Sequence, residues 1–372
     1  MLIILVFLAG FFIIRFLFFF LGAFIEYRRS IKIKNTTEKI PFISVIIPAR
    51  NEENNIERAI RAVAKSNFPK QNFEIIAIDD RSIDGTPKIL DNLSTEIKNL
   101  KVIHLTDVTR NPNLIGKAGA LDAGIKAARG EIIMMTDADC EVHPNWINTI
   151  SKYFVDESVG IVPSYTIMET SNLFHKIQAT EWLLLHSMAR GGVGANHPMG
   201  CYGNNLSVRK KVYDEIGGYE KIKFSVTEDL ALLKSVYAKG YKIRYILDID
   251  STVTTLPVNT FKEYILQHKR WAIGGLDLGW IAVFFVLSTI SIWLGILISL
   301  LISRYDLAII FFLIRVVSDF IINLPAIVKL KQYNLLITAP ISYPFFMFFE
   351  LIVPFLTLDK KVKWKGQTFV KS

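Results

Sequence analysis

Acidic residues at the ends of apolar runs are the first groups in this chain with chemistry to offer. In Ile78-Asp79-Asp80-Arg81-Ser82-Ile83-Asp84-Gly85-Thr86 an apolar run ends in paired carboxylates before a turn. A carboxylate at the carboxyl end of a strand in an open α/β sheet faces the crevice where ligands bind. It can accept from the imide N–H of a base or from ribose hydroxyls; Asp-Gly and Ser also favour turns for purely local reasons. The stretch Glu131-Ile132-Ile133-Met134-Met135-Thr136-Asp137-Ala138-Asp139-Cys140 repeats the pattern, running directly into Asp-Ala-Asp. On an extended segment, residues two apart project to one side, so that both carboxyls approach one cation. Mg²⁺ or Mn²⁺ takes one or two carboxylates and completes its shell with phosphate oxygens and water, which is what holding a diphosphate requires. A solvated acidic loop is the plain alternative.

Two further segments carry weaker signals. Thr227-Glu228-Asp229 opens an apolar helical run, and a Thr N-cap with acids in the first turn needs only local explanation. If Asp229 faces the crevice, it can also take a proton from an attacking hydroxyl. In Gln267-His268-Lys269-Arg270-Trp271, positions 267, 270 and 271 share one helix face, bringing together an amide, a guanidinium and an indole. Arg can bind a diphosphate and Trp can stack on a sugar, while both are equally at home as anchors at a membrane interface.

Between residues 41 and 256 apolar runs alternate with helical patterns, which predicts βαβ units and a mostly parallel sheet. The expected strands are Ile43–Pro48, Phe73–Asp79, Lys101–Thr106, Ile132–Thr136 and Lys242–Leu247, with Val159–Met168 extended. Helices are expected over Glu53–Ser66, Lys117–Ala128 and Thr227–Lys239. Gly191, Gly192 and Gly194 precede a segment rich in Asn, His and Pro, which reads as a mobile acceptor loop or a plain surface loop.

Hydrophobic residues make up 51% of the 372 residues, more than one soluble core requires. Leu2–Ile25 is apolar apart from Arg15 and long enough to span a bilayer; no basic residue precedes it and no A-x-A-like site follows, which disfavours a cleaved signal. The basic run Tyr27 to Lys34 places the next domain in the cytoplasm. Leu278–Ser303 is a further span. Leu307–Leu330, interrupted by Arg315, Asp319, Pro325 and Lys329, is weaker, and Leu335–Leu358 carries three prolines and Glu350. Four alternating spans would put the basic tail outside, so one apolar segment is expected not to span. The resulting division is an anchor over 1–26, a catalytic domain over 41–256, an interfacial helix over 257–277, C-terminal transmembrane helices over 278–358 and a basic tail over 359–372. The net charge of +9 suits an anionic membrane surface or phosphate handling. No basic cluster interleaved with aromatics marks a nucleic-acid site. The two cysteines, Cys140 and Cys201, are too few for a disulfide framework and fit a reducing compartment.

In this order and spacing, the motifs resemble those of membrane-bound family 2 glycosyltransferases, the group that includes cellulose, chitin and hyaluronan synthases and ceramide glucosyltransferases. The resemblance runs from about Ile43 to Trp271. It rests on Ser44-Val45-Ile46-Ile47-Pro48-Ala49-Arg50-Asn51-Glu52-Glu53, Asp79-Asp80, Gly116-Lys117-Ala118-Gly119-Ala120-Leu121-Asp122-Ala123-Gly124, Asp137-Ala138-Asp139, Gly203-Asn204-Asn205, Thr227-Glu228-Asp229 and Gln267 to Trp271.

The resemblance implies an α/β fold of the GT-A type with one N-terminal and two or three C-terminal transmembrane helices. It also implies a nucleotide-sugar donor, with UDP as the default, a divalent cation (Mg²⁺ or Mn²⁺) and inversion at the anomeric carbon. Asp80 would bind the nucleoside with Asp79 beside it; Asp137 and Asp139 would hold diphosphate and metal; Lys117 would contact the donor. Asp229 would be the general base, and Glu228, Gln267, Arg270 and Trp271 would close the donor and acceptor site. Arg81 stands where the family has a small residue, and Asp122 where it has Asn; either can alter donor preference. Polysaccharide synthases generally carry more membrane helices than the three or four here, which favours a lipid or lipid-linked acceptor at the inner membrane. A small processive synthase of cell-surface polysaccharide is the alternative enzyme, and a membrane nucleotide-sugar-binding protein the non-enzymatic one.

Overall fold

A computed structural model describes residues 1–31, 41–107, 111–364 and 367–370. The chain divides into two compact units: Met1–Tyr27, Thr170–Met199 and Val258–Lys360 form one, and Arg28–Glu169, Gly200–Pro257 and Lys361–Ser372 the other.

The second unit is built on a seven-stranded sheet of order β3-β2-β1-β4-β8-β6-β9. Its strands are β1 (Ile43–Ala49), β2 (Phe73–Asp80), β3 (Leu100–Leu105), β4 (Ile132–Met135), β6 (Val159–Pro163), β8 (Leu206–Arg209) and β9 (Lys242–Ile243). A smaller sheet pairs β5 (Glu141–Val142), β10 (Val253–Thr255) and β7 (Thr166–Met168) in the order β5-β10-β7. β1 runs parallel to β2 and β4, as β2 does to β3. Helices on both faces bury such strands from two sides, which is why β2 and β4 read as unbroken apolar runs. One face of the sheet packs Val45, Ile47, Ile75 and Met134 against Ile60, Trp146 and Ile150.

The expected strands and helices recur with ends moved by a few residues, but β8 departs from the parallel pattern. It runs antiparallel between β4 and β6. Its start is pinned by Asn205, just before β8, which is fully buried, accepts from the Trp146 indole N–H at 2.9 Å and donates to the carbonyls of Tyr165 (2.8 Å) and Ser251 (3.0 Å). Lys242–Leu247 contributes only the two residues of β9 as strand.

In the first unit, Leu2–Ile31, Trp280–Leu301 and Tyr305–Lys329 are, among the described residues, the three helices long and apolar enough to cross a membrane. Asn334–Phe349 has 16 residues, about 24 Å of helix against a hydrocarbon core of about 30 Å. It is followed by the short helix Val353–Leu356. Lys32 and Lys34 of the basic run, and Lys365 and Lys371 of the tail, lie outside the described residues.

Arg15, Arg315, Asp319 and Glu350, which interrupt the apolar helices, face protein, while Lys329 at the end of its helix is exposed. Arg315 lies 2.9 Å from Asp319 and 2.6 Å from Glu350, and Thr289 donates to Glu350 at 3.2 Å. Arg15 is 3% exposed, with its guanidinium 5.1 Å from the Phe12 ring centre and 5.6 Å from that of Phe285. Ionisable groups at membrane depth turn toward the bundle and one another because hydrocarbon cannot solvate them.

Gly191, Gly192 and Gly194 form the buried end of a helix, Leu173–Gly194, and the Asn-, His- and Pro-containing segment after them, residues 195–202, is irregular, as expected of a loop. A side chain on Gly191 would collide with the Phe19 backbone, and one on Gly194 with that of Gly22. These glycines let two helix backbones touch, a packing device of membrane helices rather than a source of mobility. Thr170–Met199 therefore groups with the apolar helices, although it lies inside the 41–256 span expected for the catalytic domain.

Replacing Asn205 by Ala would strand the Trp146 N–H and the Ser251 carbonyl in the interior and leave the Tyr165 carbonyl to the Val253 N–H at 3.4 Å. The expected loss is about 3 kcal/mol or more of stability, read as a lowered melting temperature of the detergent-solubilised protein.

Candidate active site

The carboxyl ends of β1, β2 and β4 form one edge, with β1 between the other two. Asp80 and Asp137 leave that edge on strands separated by one neighbour, about 10 Å at the spacing of strands in a sheet. At the β2 end, Asp79 and Asp80 are 4% and 3% exposed. Asp79 accepts from the Ser82 backbone N–H at 3.0 Å and contacts His104 Nδ1 at 2.9 Å, so both of its oxygens serve the fold. His104 in turn reaches Asp91 at 3.1 Å, and these carboxylates, Asp79 first, hold the imidazole pKa above its ordinary value. Asp80 is gripped by the residue that follows it: Arg81 donates to Oδ1 from Nε at 2.8 Å and from Nη2 at 2.5 Å. Arg81 has a φ of 56°, an uncommon conformation for a residue with a side chain. Arg50 donates to the Asp80 carbonyl at 2.8 Å and stands 3.7 Å from Oδ2.

Beyond β4 the Asp-Ala-Asp segment is a turn rather than an extended continuation, closed by the Cys140 N–H on the Asp137 carbonyl at 3.2 Å. The same-side argument from strand geometry therefore does not apply. Ala138 is buried, while both flanking carboxyls are partly accessible. Asp139 Oδ1 accepts from the Cys140 thiol at 3.2 Å, and the Asp139 carbonyl from Arg58 at 3.2 Å. Cys140 and Cys201 are buried free thiols.

Lys117 begins the helix Lys117–Ala127 directly after Gly116, whose φ is 68°. Its ammonium lies 2.5 Å from Asp137 Oδ1 and 3.4 Å from Glu228 Oε1, on side chains 14%, 33% and 13% exposed respectively. Burial works against the lysine's charge, but Asp137 and Glu228 outweigh it and raise its pKa. Asp229, in the first turn of the helix Glu228–Ala238, accepts from the Gly203 N–H at 2.8 Å and from the Leu230 N–H at 2.8 Å. Burial first, and the Glu228 carboxylate second, push the Asp229 pKa up to about 6 against the pull of Lys117. A Cβ on Gly203 would sit 3.2 Å from the Lys117 amine and 3.4 Å from Glu228, so only glycine lets the backbone N–H approach without crowding the cluster.

Of the residues singled out in the sequence, Lys117, Asp137, Glu228 and Asp229 form one cluster, and Asp79 and Asp80 stand at the end of β2, with β1 between them and the β4 end. Among the described residues no group of three or more His, Cys, Asp or Glu is arranged to hold a metal ion. The chain offers Asp137 and Asp139, a donor set that fits a hard cation completing its shell from phosphate and water. Gln267, Arg270 and Trp271 lie in the other unit, half-buried on the helix Phe261–Gly275, which starts with a capping box between Thr260 and Glu263. Asp122 does not face this cluster: it accepts from the Tyr213 hydroxyl at 2.6 Å and pairs with Lys126 at 2.8 Å, a structural use that accounts for the acid in place of Asn.

Two family models match the sequence: "Glycosyl transferase family 2" over residues 44–217 and "Glycosyl transferase family group 2" over residues 132–353. The chain is a family 2 glycosyltransferase. Among its relatives, the probable glycosyltransferase YdaM of Bacillus subtilis is 28% identical over 278 residues, 71% of this chain and 63% of the relative. The beta-monoglucosyldiacylglycerol synthase of Trichormus variabilis is 30% identical over 249 residues, covering 65% of this chain and 50% of that protein. The poly-beta-1,6-N-acetyl-D-glucosamine synthase of Staphylococcus aureus is 26% identical over 275 residues, 73% and 63% of the two chains. The glycosyltransferase chain thus spans only about half to two-thirds of these curated relatives. Its fold is similar to that of the mannosyltransferase PcManGT from Pyrobaculum calidifontis, solved in complex with GDP-Man and Mn²⁺. The TM-score is 0.53 with 17% identity, covering 87% of this chain and 98% of that one. The chain has the GT-A fold of its family.

Inspection of motifs passes over His104 and the amide of Gly203 in this family 2 site. His104 lies on β3 opposite Asp79 in register, a pairing visible only once the strands are aligned. Glycine before paired asparagines gives no sign that its N–H fixes an acid further along the chain.

Lys117→Met is expected to leave three acids facing one another without a cation. An aspartate whose folded pKa lies above its unfolded value costs stability at pH values above the folded pKa, and that cost fades as pH falls through it. The variant should therefore lose more melting temperature at pH 8 than at pH 5.5, as differential scanning fluorimetry would register.

Proposed function

We propose that this family 2 enzyme transfers a sugar from a nucleoside diphosphate sugar to a hydroxyl of a lipid or lipid-linked acceptor, with inversion at the anomeric carbon. One observation carries the reading: the Lys117 ammonium draws Asp137 and Glu228, and with them Asp229, into a single half-buried cluster at the same edge of the sheet as the β2 carboxylates.

Asp229 is the general base. Fixed by the amides of Gly203 and Leu230, it takes the proton of the acceptor hydroxyl as that oxygen bonds to the anomeric carbon. The bond from that carbon to the diphosphate oxygen breaks on the opposite face, and inversion follows. Asp80 receives the nucleoside, with Asp79 and His104 bracing the turn beneath it. Asp137 and Asp139 would hold a divalent cation. When bound, the cation neutralises charge developing on the departing diphosphate. Lys117 supplies positive charge to the same region and contacts the donor. Glu228, Gln267, Arg270 and Trp271 close the site around donor and acceptor.

Similarity to a monoglucosyldiacylglycerol synthase and the three long apolar helices support a lipid acceptor and an inner-membrane enzyme with a cytoplasmic catalytic unit. Similarity to a poly-N-acetylglucosamine synthase supports the alternative, repeated addition to a growing polysaccharide. Incubating membranes with a panel of radiolabelled nucleotide sugars separates the readings: one sugar on a lipid-soluble product supports the first, and a ladder of polymer lengths the second.

Asp229→Asn is expected to abolish transfer, with kcat down about 10³-fold and donor affinity within about twofold of the parent, because proton acceptance is lost without loss of bulk. Since the acting form is the carboxylate, kcat of the parent enzyme should fall as pH drops below about 6. In contrast, Asp139→Ala should remove the Mn²⁺ dependence of UDP-sugar binding in a calorimetric titration, and unchanged affinity would be fatal to the metal assignment.

A further inference from the structure

His268, inside the Gln267 to Trp271 segment, has no task in the reaction above. It is 7% exposed, with Nδ1 2.8 Å from the Tyr264 carbonyl and Nε2 3.0 Å from Glu181 Oε1. A neutral imidazole donates from only one nitrogen. Here both nitrogens face oxygens that accept. The Tyr264 hydroxyl donates to the other Glu181 oxygen at 2.6 Å, so both carboxyl oxygens are engaged. The arrangement is satisfied by an imidazolium paired with a carboxylate.

The surroundings leave Glu181 as the charged group that faces the ring. Phe349 presents an aromatic edge 4.8 Å away between centroids, and Tyr264 and Trp271 flank His268 on its own helix at 4.0 and 4.9 Å. Burial alone would lower the His268 pKa; Glu181 and the Tyr264 carbonyl outweigh it and raise it. The Trp271 indole contacts His268 on one side and Trp182, 5.2 Å away, on the other. Trp271 thus packs against a ring whose two nitrogens are both held by hydrogen bonds.

We propose that His268, held as an imidazolium between Glu181 and the Tyr264 carbonyl, is a positioning residue that fixes the Trp271 indole for sugar transfer. This rests on the reading that the Gln267 to Trp271 helix serves the transfer site. Loss of the proton turns a nitrogen lone pair against one of the two acceptors, and the wedge holding Trp271 loosens. The positioned state is present below the raised pKa and disappears as pH rises through it.

The test titrates tryptophan fluorescence of the full chain in lipid nanodiscs from pH 5 to 10, for the parent, Trp271→Phe, Glu181→Gln and His268→Gln. The expected result is a transition in the parent that is absent from Trp271→Phe and His268→Gln and moved down by about one pH unit or more in Glu181→Gln, where no carboxylate holds the proton. In turnover, His268→Gln should lower kcat about tenfold with donor KM within about twofold, and the alkaline limb of the parent's pH profile should vanish. Glu181→Gln, nearly isosteric, keeps the test open if His268→Gln does not fold. A parent with no optical transition, or one that Glu181→Gln leaves in place, overturns the proposal. The predicted transitions in a parent that turns over no nucleotide sugar would instead sink the transferase reading and leave the imidazolium intact.

Discussion

Three acids cannot share a half-buried corner unless a cation sits among them, and the candidate active site depends on that constraint. Lys117 meets it, with its ammonium against Asp137 and Glu228 and the Asp229 carboxylate one residue further on. Like charges in a poorly solvated place raise one another's proton affinity, and Asp229 accordingly ends near the pH at which a base can both hold and release a proton. The helix that begins at Lys117, the glycine that lets the Gly203 amide approach and the short helix-opening turn at Thr227 are all devices for bringing distant stretches to one ammonium.

The first half of the sheet was legible in the sequence because β1, β2 and β4 are buried on two faces and read as continuous apolar runs ending in acids or at a turn. What escaped lacked such a signature. β8 is four residues long and takes its antiparallel place after a long excursion, held by Asn205, whose buried side chain has no periodicity to betray it. The helix Leu173–Gly194 mixes His, Gln, Thr and glycines along its length, so it lacks the one-sided apolar stripe that marks a helix in a sequence. At the site, the types of the acidic residues were readable and their partners were not: the Asp79–His104 and Lys117–Glu228 contacts join positions far apart in the chain.

Charges within the apolar helices are likewise kept among protein groups, in a harsher solvent. Arg315 pairs with Asp319 and Glu350, and Arg15 lies against aromatic faces. Charges that weaken a hydropathy profile here serve to register helices against one another, since an unpaired charge turned to lipid would be far costlier than one packed inside.

The clasp of Arg81 on Asp80 has its own consequence for recognition. Asp80 is already hydrogen-bonded in the resting protein, so any incoming nucleoside that uses this carboxylate enters by exchange, and its affinity is the difference between two bonded arrangements rather than the sum of new contacts. Such a gatekept acceptor rejects weak imitators: a ligand that matches only part of the geometry leaves the guanidinium the stronger competitor.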